Sequence, residues 1–448
     1  MDTLGQLTGA VLAFRDQLAS AGQENWLDII ARFFPFVLLF EMPVYLGVMV
    51  GALRHYVNTL SAAQRPAPPF HPPVTCIITC YSEGTDVQKT IVSLTEQLYP
   101  GHIEMLAVVD GAHQNRATEQ ALRALVPYVA GRRRRKLMIV PKLQRGGRVS
   151  SLNQGLAIAS GQIVCALDGD TSFDNDMVLQ IARHFADPNV VAVSGNLRVR
   201  NATRSLTTRL QALEYMLSIH LSRTGLDEYR AINNISGAFG AFRRDFLRRV
   251  GGWDSGTAED LDLTLRIKKY FARHPHLRIR FEPRAIGHTD APERFRQFLM
   301  QRLRWDGDLS YLYLRKYRES LRPALLGWRN FLALAWTGLF FQIVLPFVVI
   351  AYMGWMFVAH PIAEVLGVFA LVYLFYVVLT AMMYVEYLVL LSERRRYDAR
   401  FAWLVLLFPA FAFVTRLWNG MATLSEMFTK SHLDSSMAPW WVLRKTRF

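Results

Sequence analysis

The chain has 448 residues, room for two or three units with their own cores at ~150 residues per domain, which excludes a disulfide-stapled miniprotein. Hydrophobic residues make up 52% and charged residues 19%, and mean hydropathy is +0.15; this is too apolar for a disordered chain or an ordinary soluble enzyme, so part of the chain belongs in lipid. Lys and Arg number 51 against 36 Asp and Glu, and the +15 balance suits anionic head groups, nucleic acid or phosphorylated substrates without choosing among them.

Residues 1–63 read as an N-terminal amphipathic and transmembrane segment, with a span candidate at 33–52 that carries Glu41, Pro35 and Pro43. No cationic stretch precedes an early apolar core, which predicts no cleaved signal peptide. Residues 64–73 hold five prolines (Pro66, Pro68, Pro69, Pro72, Pro73), a stiff extended linker of the kind that marks a domain boundary. After it, short apolar runs at 74–79, 103–109, 137–140 and 163–167 alternate with helix-like stretches at about 86–97, before 137, and at 150–159. Strands alternating with helices predict a mainly parallel sheet whose ligands bind beyond the carboxyl ends of the strands. Cys76, Cys80 and Cys165 are the only cysteines, and without a CxxC spacing they read as reduced and buried.

The distinctive polar residues fall at strand ends. Asp168 and Asp170 flank Gly169 just past a buried strand, a spacing that suits a divalent cation holding a diphosphate; a helix-capping Asp-Gly-Asp turn is the competing reading. Asp110 before Gly111 has the same ambiguity. Glu259 and Asp260 open a helix-like stretch at 261–270, where carboxylates are commonly caps, but adjacent acids also raise one another's pKa and so suit a general base. His288 reads as a structural histidine, and the cationic run from Arg132 to Lys136, with no interleaved aromatics, reads as a solvated or lipid-facing surface rather than a nucleic-acid site.

Residues 294–328 mix Phe295, Phe298, Trp305, Tyr311 and Tyr313 with several arginines, the composition of an interfacial helix. Residues 329–448 form a C-terminal transmembrane region and tail. Within it, 331–359 is 29 residues without a charge and 365–385 is 21, a transmembrane hairpin. Residues 401–415 are apolar for only 15 positions, with Pro409 inside, so they either span with snorkelling or re-enter. Arg394, Arg395, Arg396 and Arg400 place the intervening loop in the cytoplasm by the positive-inside rule; a full crossing after it would put Lys430, Arg444, Lys445 and Arg447 outside.

Taken in order, Tyr81-Ser82-Glu83, Asp110, Arg148 before Leu152-Asn153, Asp168-Gly169-Asp170, Ala258-Glu259-Asp260 and Gln301-Arg302-Leu303-Arg304-Trp305 resemble the motifs of family 2 glycosyltransferases, over roughly residues 74–310 and the flanking helices. Among these the layout is similar to processive membrane polysaccharide synthases, nearest to poly-N-acetylglucosamine synthases and further from chitin, hyaluronan and cellulose synthases; Ser194-Gly195-Asn196, Ser236-Gly237-Ala238-Phe239 and Phe242-Arg243-Arg244 are shared phrases. The sequence departs from the family with Ser82 for Asn, Arg148 for the commoner Lys, Ala258 for Thr, and acidic Asp306-Gly307-Asp308 after the Gln-x-x-Arg-Trp signature.

The resemblance implies an α/β, GT-A (Rossmann-like) catalytic domain over 74–293, cytoplasmic, flanked by transmembrane and interfacial helices in the cell (inner) membrane. It implies inverting, metal-dependent transfer from a UDP-sugar, with UDP-N-acetylglucosamine as best guess, to a growing β-linked polysaccharide exported through the helices. Asp260 would be the base with Glu259 beside it. Tyr81, Glu83, Asp110, Arg148, Asn153, Asp168 and Arg304 would bind the nucleotide-sugar, Gln301 and Trp305 the acceptor, and Asp170 the Mg2+ or Mn2+. Membrane lipid and accessory export or regulatory subunits would be partners, and nucleic acid would not. The alternative is a single-transfer enzyme acting on a lipid acceptor.

Overall fold

The computed structural model describes residues 37–63, 69–254 and 258–429. Much of the N-terminal segment, Pro66 and Pro68 of the linker, Gly256 with its neighbours, and the tail cations from Lys430 onward lie outside the described residues.

Strands β1 (Val74–Cys80), β2 (Ile103–Val109), β3 (Arg135–Pro141) and β4 (Ile163–Asp168) pair in parallel in the order β3-β2-β1-β4. Their apolar runs are continuous because both faces are covered, which is why period-two alternation is missing from the sequence. Along β1, Cys76, Ile78 and Cys80 enter one core while Ile77 enters the other; along β2, Met105 and Ala107 part from Leu106 and Val108 in the same way. The first core packs under α2 (Val87–Thr95), α3 (Arg116–Ala130) and α5 (Met177–His184). The second packs under α4 (Gly147–Ile158), which lies so close to the sheet that a Cβ on Gly155 would stand 2.4 Å from Ile77 Cγ2. All three cysteines are free and buried, as expected.

Beyond β4 the sheet becomes mixed. β7 (Phe239–Arg243) runs antiparallel to both β4 and β6 (Val190–Val199), β8 (Arg278–Thr289) runs parallel to β6, and the two-residue β5 (Ser172–Phe173) closes the edge. The expectation of a mainly parallel sheet holds, since β6 and β8 run in the same direction as β1–β4 and only β7 and β5 run against them. This second half is joined by long connections, including α6 (Leu206–Glu214), a π-helical stretch Tyr215–Leu221, α7 (Ser222–Glu228), and α8 (Arg244–Arg249) after β7. The cationic run 132–136 is a turn leading into β3, where Arg135 donates to the carbonyls of Thr95, Gln97, Tyr99 and Gly101.

The helix carrying Glu259 and Asp260 is α9 (Glu259–Lys268), and α10 (Phe295–Tyr311) follows β8. Two long apolar helices come next, α11 (Trp328–Ala359) and α12 (Ile362–Leu391), matching the two charge-free runs. The third apolar region is broken: α13 (Arg395–Leu406) and α14 (Phe408–Thr429) meet at 71°, so the run 401–415 straddles a bend rather than forming one straight helix. Both ends of this pair touch the catalytic side. Arg394 bonds Asp174, and the buried Asp398 pairs with Arg198 of β6; at the far end Thr423 meets Ser310, and Arg315 donates to the Met427 carbonyl. Helix α1 (Met42–Ala63), which is not among the helices long and apolar enough to cross a membrane over its described residues, crosses α7 where a Cβ on Gly51 would lie 2.4 Å from the Gly225 carbonyl, a small-residue crossing that fixes it to the α/β domain.

Candidate functional site

The carboxyl end of β4, the start of α4, the turn before β7, the start of α9 and the middle of α10 converge on one cavity of about 1220 Å³. Asp168, Asp170, Arg148, Glu259, Asp260, Gln301, Arg304 and Trp305 all line it. Eight of the twelve residues expected from sequence thus share one wall.

Arg148 stands at the second position of α4 and ties this wall together. Its Nε donates to Glu259 Oε1 (2.5 Å), Nη1 to Thr79 Oγ1 (2.9 Å) and to the Asp168 carboxylate, and Nη2 to the Gly237 carbonyl (2.6 Å). Burial raises the Glu259 pKa, and the neighbouring Asp260 charge pushes the same way against Arg148. Asp260 is held by backbone: Oδ2 accepts from Gly237 N (3.0 Å) and the Asn234 amide (3.3 Å), and Oδ1 from Leu261 N (2.7 Å). That leaves a carboxylate at a helix start, fixed in place and open to the cavity, as a base requires. Ala258, where the sequence departs from Thr, adopts a left-handed conformation (φ 53°) as α9 begins.

Asp170 is exposed and accepts from the Thr171 hydroxyl at 3.2 Å. Gly169 lets the turn approach Glu83, whose Cδ would be 3.2 Å from a Cβ there. No group of three His, Cys, Asp or Glu side chains gathers among the described residues. Two neighbouring carboxylates without a full protein cage fit Mg2+ or Mn2+, hard ions that complete their shells with phosphate and water.

The remaining expected residues stand behind the wall. Asp110, 4% exposed, accepts from Lys142 Nζ (2.7 Å), Gly146 N (2.8 Å) and Gly147 N (2.7 Å), so its carboxylate shapes the loop that presents Arg148. Asn153 spends its amide on the Trp253 backbone, donating to O (2.7 Å) and accepting from N (3.0 Å), and so anchors a loop instead of facing the cavity. Glu83 accepts from Tyr81 N (2.7 Å), and burial raises its pKa. Tyr81 is exposed beneath Arg145, 4.2 Å from guanidinium carbon to ring centroid. His288 bonds Asp174 (2.9 Å), a structural role as expected.

Sequence reasoning missed Asn234, Arg223 and Glu214, which also line the cavity. Asn234 immediately precedes the Ser236-Gly237 phrase and was open to detection there; Glu214 sits in a helix without a motif and carried no signal. Glu214 receives two bonds from Arg302 Nη2, both 2.7 Å, and Arg302 also lies over the Trp305 ring at 5.1 Å. Trp305, 40% exposed, stands on the cavity wall beside this ion pair. Beyond it the cavity continues between the apolar helices, past Gln342, Tyr376, Phe408, Arg416 and Asn419.

A family model described as Glycosyl transferase family group 2 matches residues 163–415. The chain is similar to a poly-beta-1,6-N-acetyl-D-glucosamine synthase of Staphylococcus epidermidis, 28% identical over 255 residues, which are 56% of this chain and 58% of that protein. It is also similar to a protein of the same name from Staphylococcus aureus (strain COL), 26% identical over 299 residues, 65% of this chain and 69% of that one. The aligned region thus spans about three fifths to two thirds of these relatives. Among solved structures, a mannosyltransferase from Pyrobaculum calidifontis in complex with GDP-Man and Mn2+ superposes with a TM-score of 0.57 at 19% identity, over 90% of this chain and 98% of that one; the two share the fold.

Proposed function

Because the chain belongs to glycosyl transferase family group 2, we propose that it transfers a sugar, inverting the anomeric centre, from UDP-N-acetylglucosamine to a growing β-linked polysaccharide and passes the chain through its membrane helices. The observation that carries this reading is the continuity of one cavity from Asp168, Asp170 and Asp260, past Trp305, to Gln342 and Arg416 between the helices.

In this reading residues 74–293 are the transferring unit, and 294–328 join it to the membrane part. Asp170, with Asp168, would hold Mg2+ or Mn2+, which would supply positive charge for the departing diphosphate. Arg304 points into the cavity and adds its planar fork to the phosphates. Asp260 takes the proton of the acceptor hydroxyl; the new glycosidic bond forms at the anomeric carbon as the bond to the diphosphate oxygen breaks, and UDP leaves. Trp305 offers an aromatic face to the terminal sugar, and Gln301 orients it.

We place the catalytic unit in the cytoplasm beneath the cell membrane. Helices α1, α11 and α12 make three crossings, and α13–α14 re-enter, because both ends of that pair bond to the catalytic side. This topology keeps the arginine loop and the cationic tail on one side. Accessory export subunits and lipid complete the expected partners. The apolar wall between the helices supports the single-transfer reading, with a lipid acceptor, as the alternative.

The test is purified protein in nanodiscs with a panel of UDP-sugars and Mg2+ or Mn2+, following UDP release and then digesting the product with linkage-specific hydrolases. Polymer from UDP-N-acetylglucosamine supports the proposal. UDP release with a product one sugar long selects the alternative.

A further inference from the structure

Asp306 follows Trp305 on α10 and lines the cavity on the side of the membrane helices. It is half-buried, since water reaches it only from the cavity while protein surrounds it elsewhere. The Asn419 amide of α14 lies against it. With its nitrogen toward the carboxylate, Asn419 donates to Asp306 Oδ2 (2.5 Å) and to the Thr415 carbonyl (2.9 Å), the orientation that satisfies both groups. Gln342 of α11 stands 3.1 Å from the other end of the same amide. Three side chains from three helices therefore meet at one point of the cavity wall, and none belongs to the donor machinery.

The charges facing Asp306 are Arg302 on its own helix, Glu214 and Tyr215 across from it, Asp308 two residues on, and Arg416 one turn from Asn419. Arg302 is committed to Glu214 by two hydrogen bonds, and Arg416 to Glu41 (2.7 and 3.2 Å). Neither cation is a dedicated partner for Asp306. Beyond the Asn419 amide that carboxylate has no dedicated cation, and burial, with the Glu214 charge behind it, raises its pKa to about 7 against the opposing pull of Arg302. One amide does not fill the acceptor capacity of a carboxylate, and the cavity is where further donors would come from.

We propose that Asp306, supported by Asn419 and Gln342, is a specificity-determining subsite that accepts hydrogen bonds from hydroxyl or amide groups of an uncharged sugar in the acceptor chain, between the transfer site and the membrane helices. This rests on the glycan-synthase reading above. The same wall disfavours chains bearing uronic acids, because Asp306, Asp308 and Glu214 would face each carboxylate that passed. Charge-assisted hydrogen bonds are roughly twice as strong as neutral ones, so the subsite grips best with Asp306 ionised. Acceptor affinity should then improve as pH rises through about 7.

The experiment measures KM and kcat for an added β-linked N-acetylglucosamine oligosaccharide, from pH 6 to 8, in nanodiscs, alongside UDP affinity. Wild type should show acceptor KM falling as pH rises. Asp306→Asn should flatten that dependence while keeping an acceptor oxygen, and Asp306→Leu should raise acceptor KM by about tenfold, the loss of one hydrogen bond to a charged group. UDP affinity should hold in both. Unchanged KM in Asp306→Leu, or a wild-type pH profile in Asp306→Asn, would overturn the subsite. If Asp306→Leu does not fold, the Asp306→Asn profile decides alone. A wild-type enzyme that turns over no UDP-sugar at all refutes the parent reading instead.

Discussion

At the strand ends, polar groups are fixed by backbone or by several partners at once: Asp260 by Gly237 N and Leu261 N, Arg148 by four acceptors on four segments, Asp110 by two loop amides. At the membrane end of the same cavity, aromatic and aliphatic side chains predominate, and the few polar groups, Asn419, Gln342 and Arg416, reach across from separate helices. The contrast fits the chemistry proposed above for each end. A leaving diphosphate and a proton in transfer need charges held within fractions of an ångström of one place. A chain that must advance after every addition needs contacts that no single register satisfies better than the next.

That contrast predicts a ranking of mutational effects. Asp170→Asn should abolish transfer, and excess EDTA should abolish it in wild type; full turnover in EDTA would remove the metal from the account. Asp260→Asn keeps the shape of the side chain and one acceptor oxygen for Gly237 N, giving up the bond from Leu261 N, so UDP binding should survive, while turnover falls by at least the ~10²-fold typical of a general base. Near-normal turnover would move the role to Glu259. Trp305→Ala should lose polymer but retain UDP-sugar binding, because the ring serves the sliding chain; wild-type polymer from this variant would make Trp305 a membrane anchor. The smallest effect is expected behind the wall: Asn153→Ala loses both bonds to the Trp253 backbone and should lower stability by about 1–3 kcal/mol with UDP affinity intact. Weakened UDP binding at unchanged stability would return Asn153 to the nucleotide site.

Legibility in the sequence follows the same division. The parallel half of the sheet was readable because each strand is a short apolar run ending in a turn or an acid, and its wall residues Asp168, Asp170 and Arg148 stand at those ends. The mixed half was not, since β6, β7 and β8 pair with partners that lie scores of residues away, and nothing local marks β7 as the strand that runs against the others. Asp110 and Asn153 mark what only the fold adds: Lys142 and the Trp253 backbone hold their hydrogen-bonding groups, contacts that no motif announces. The re-entrant alternative for 401–415, with Pro409 inside the run, was legible, but the 71° angle at Leu407 was not, because hydropathy measures length and apolarity and a turn there changes neither.

The central claim is that one cavity both makes a glycan and carries it across the membrane. Proteoliposomes with the catalytic unit facing outward, supplied with UDP-N-acetylglucosamine and Mg2+ or Mn2+, test it directly when a glycan hydrolase is added after synthesis. The account predicts polymer inside the vesicles, resistant to the hydrolase until detergent is added. Polymer digested completely without detergent would contradict it.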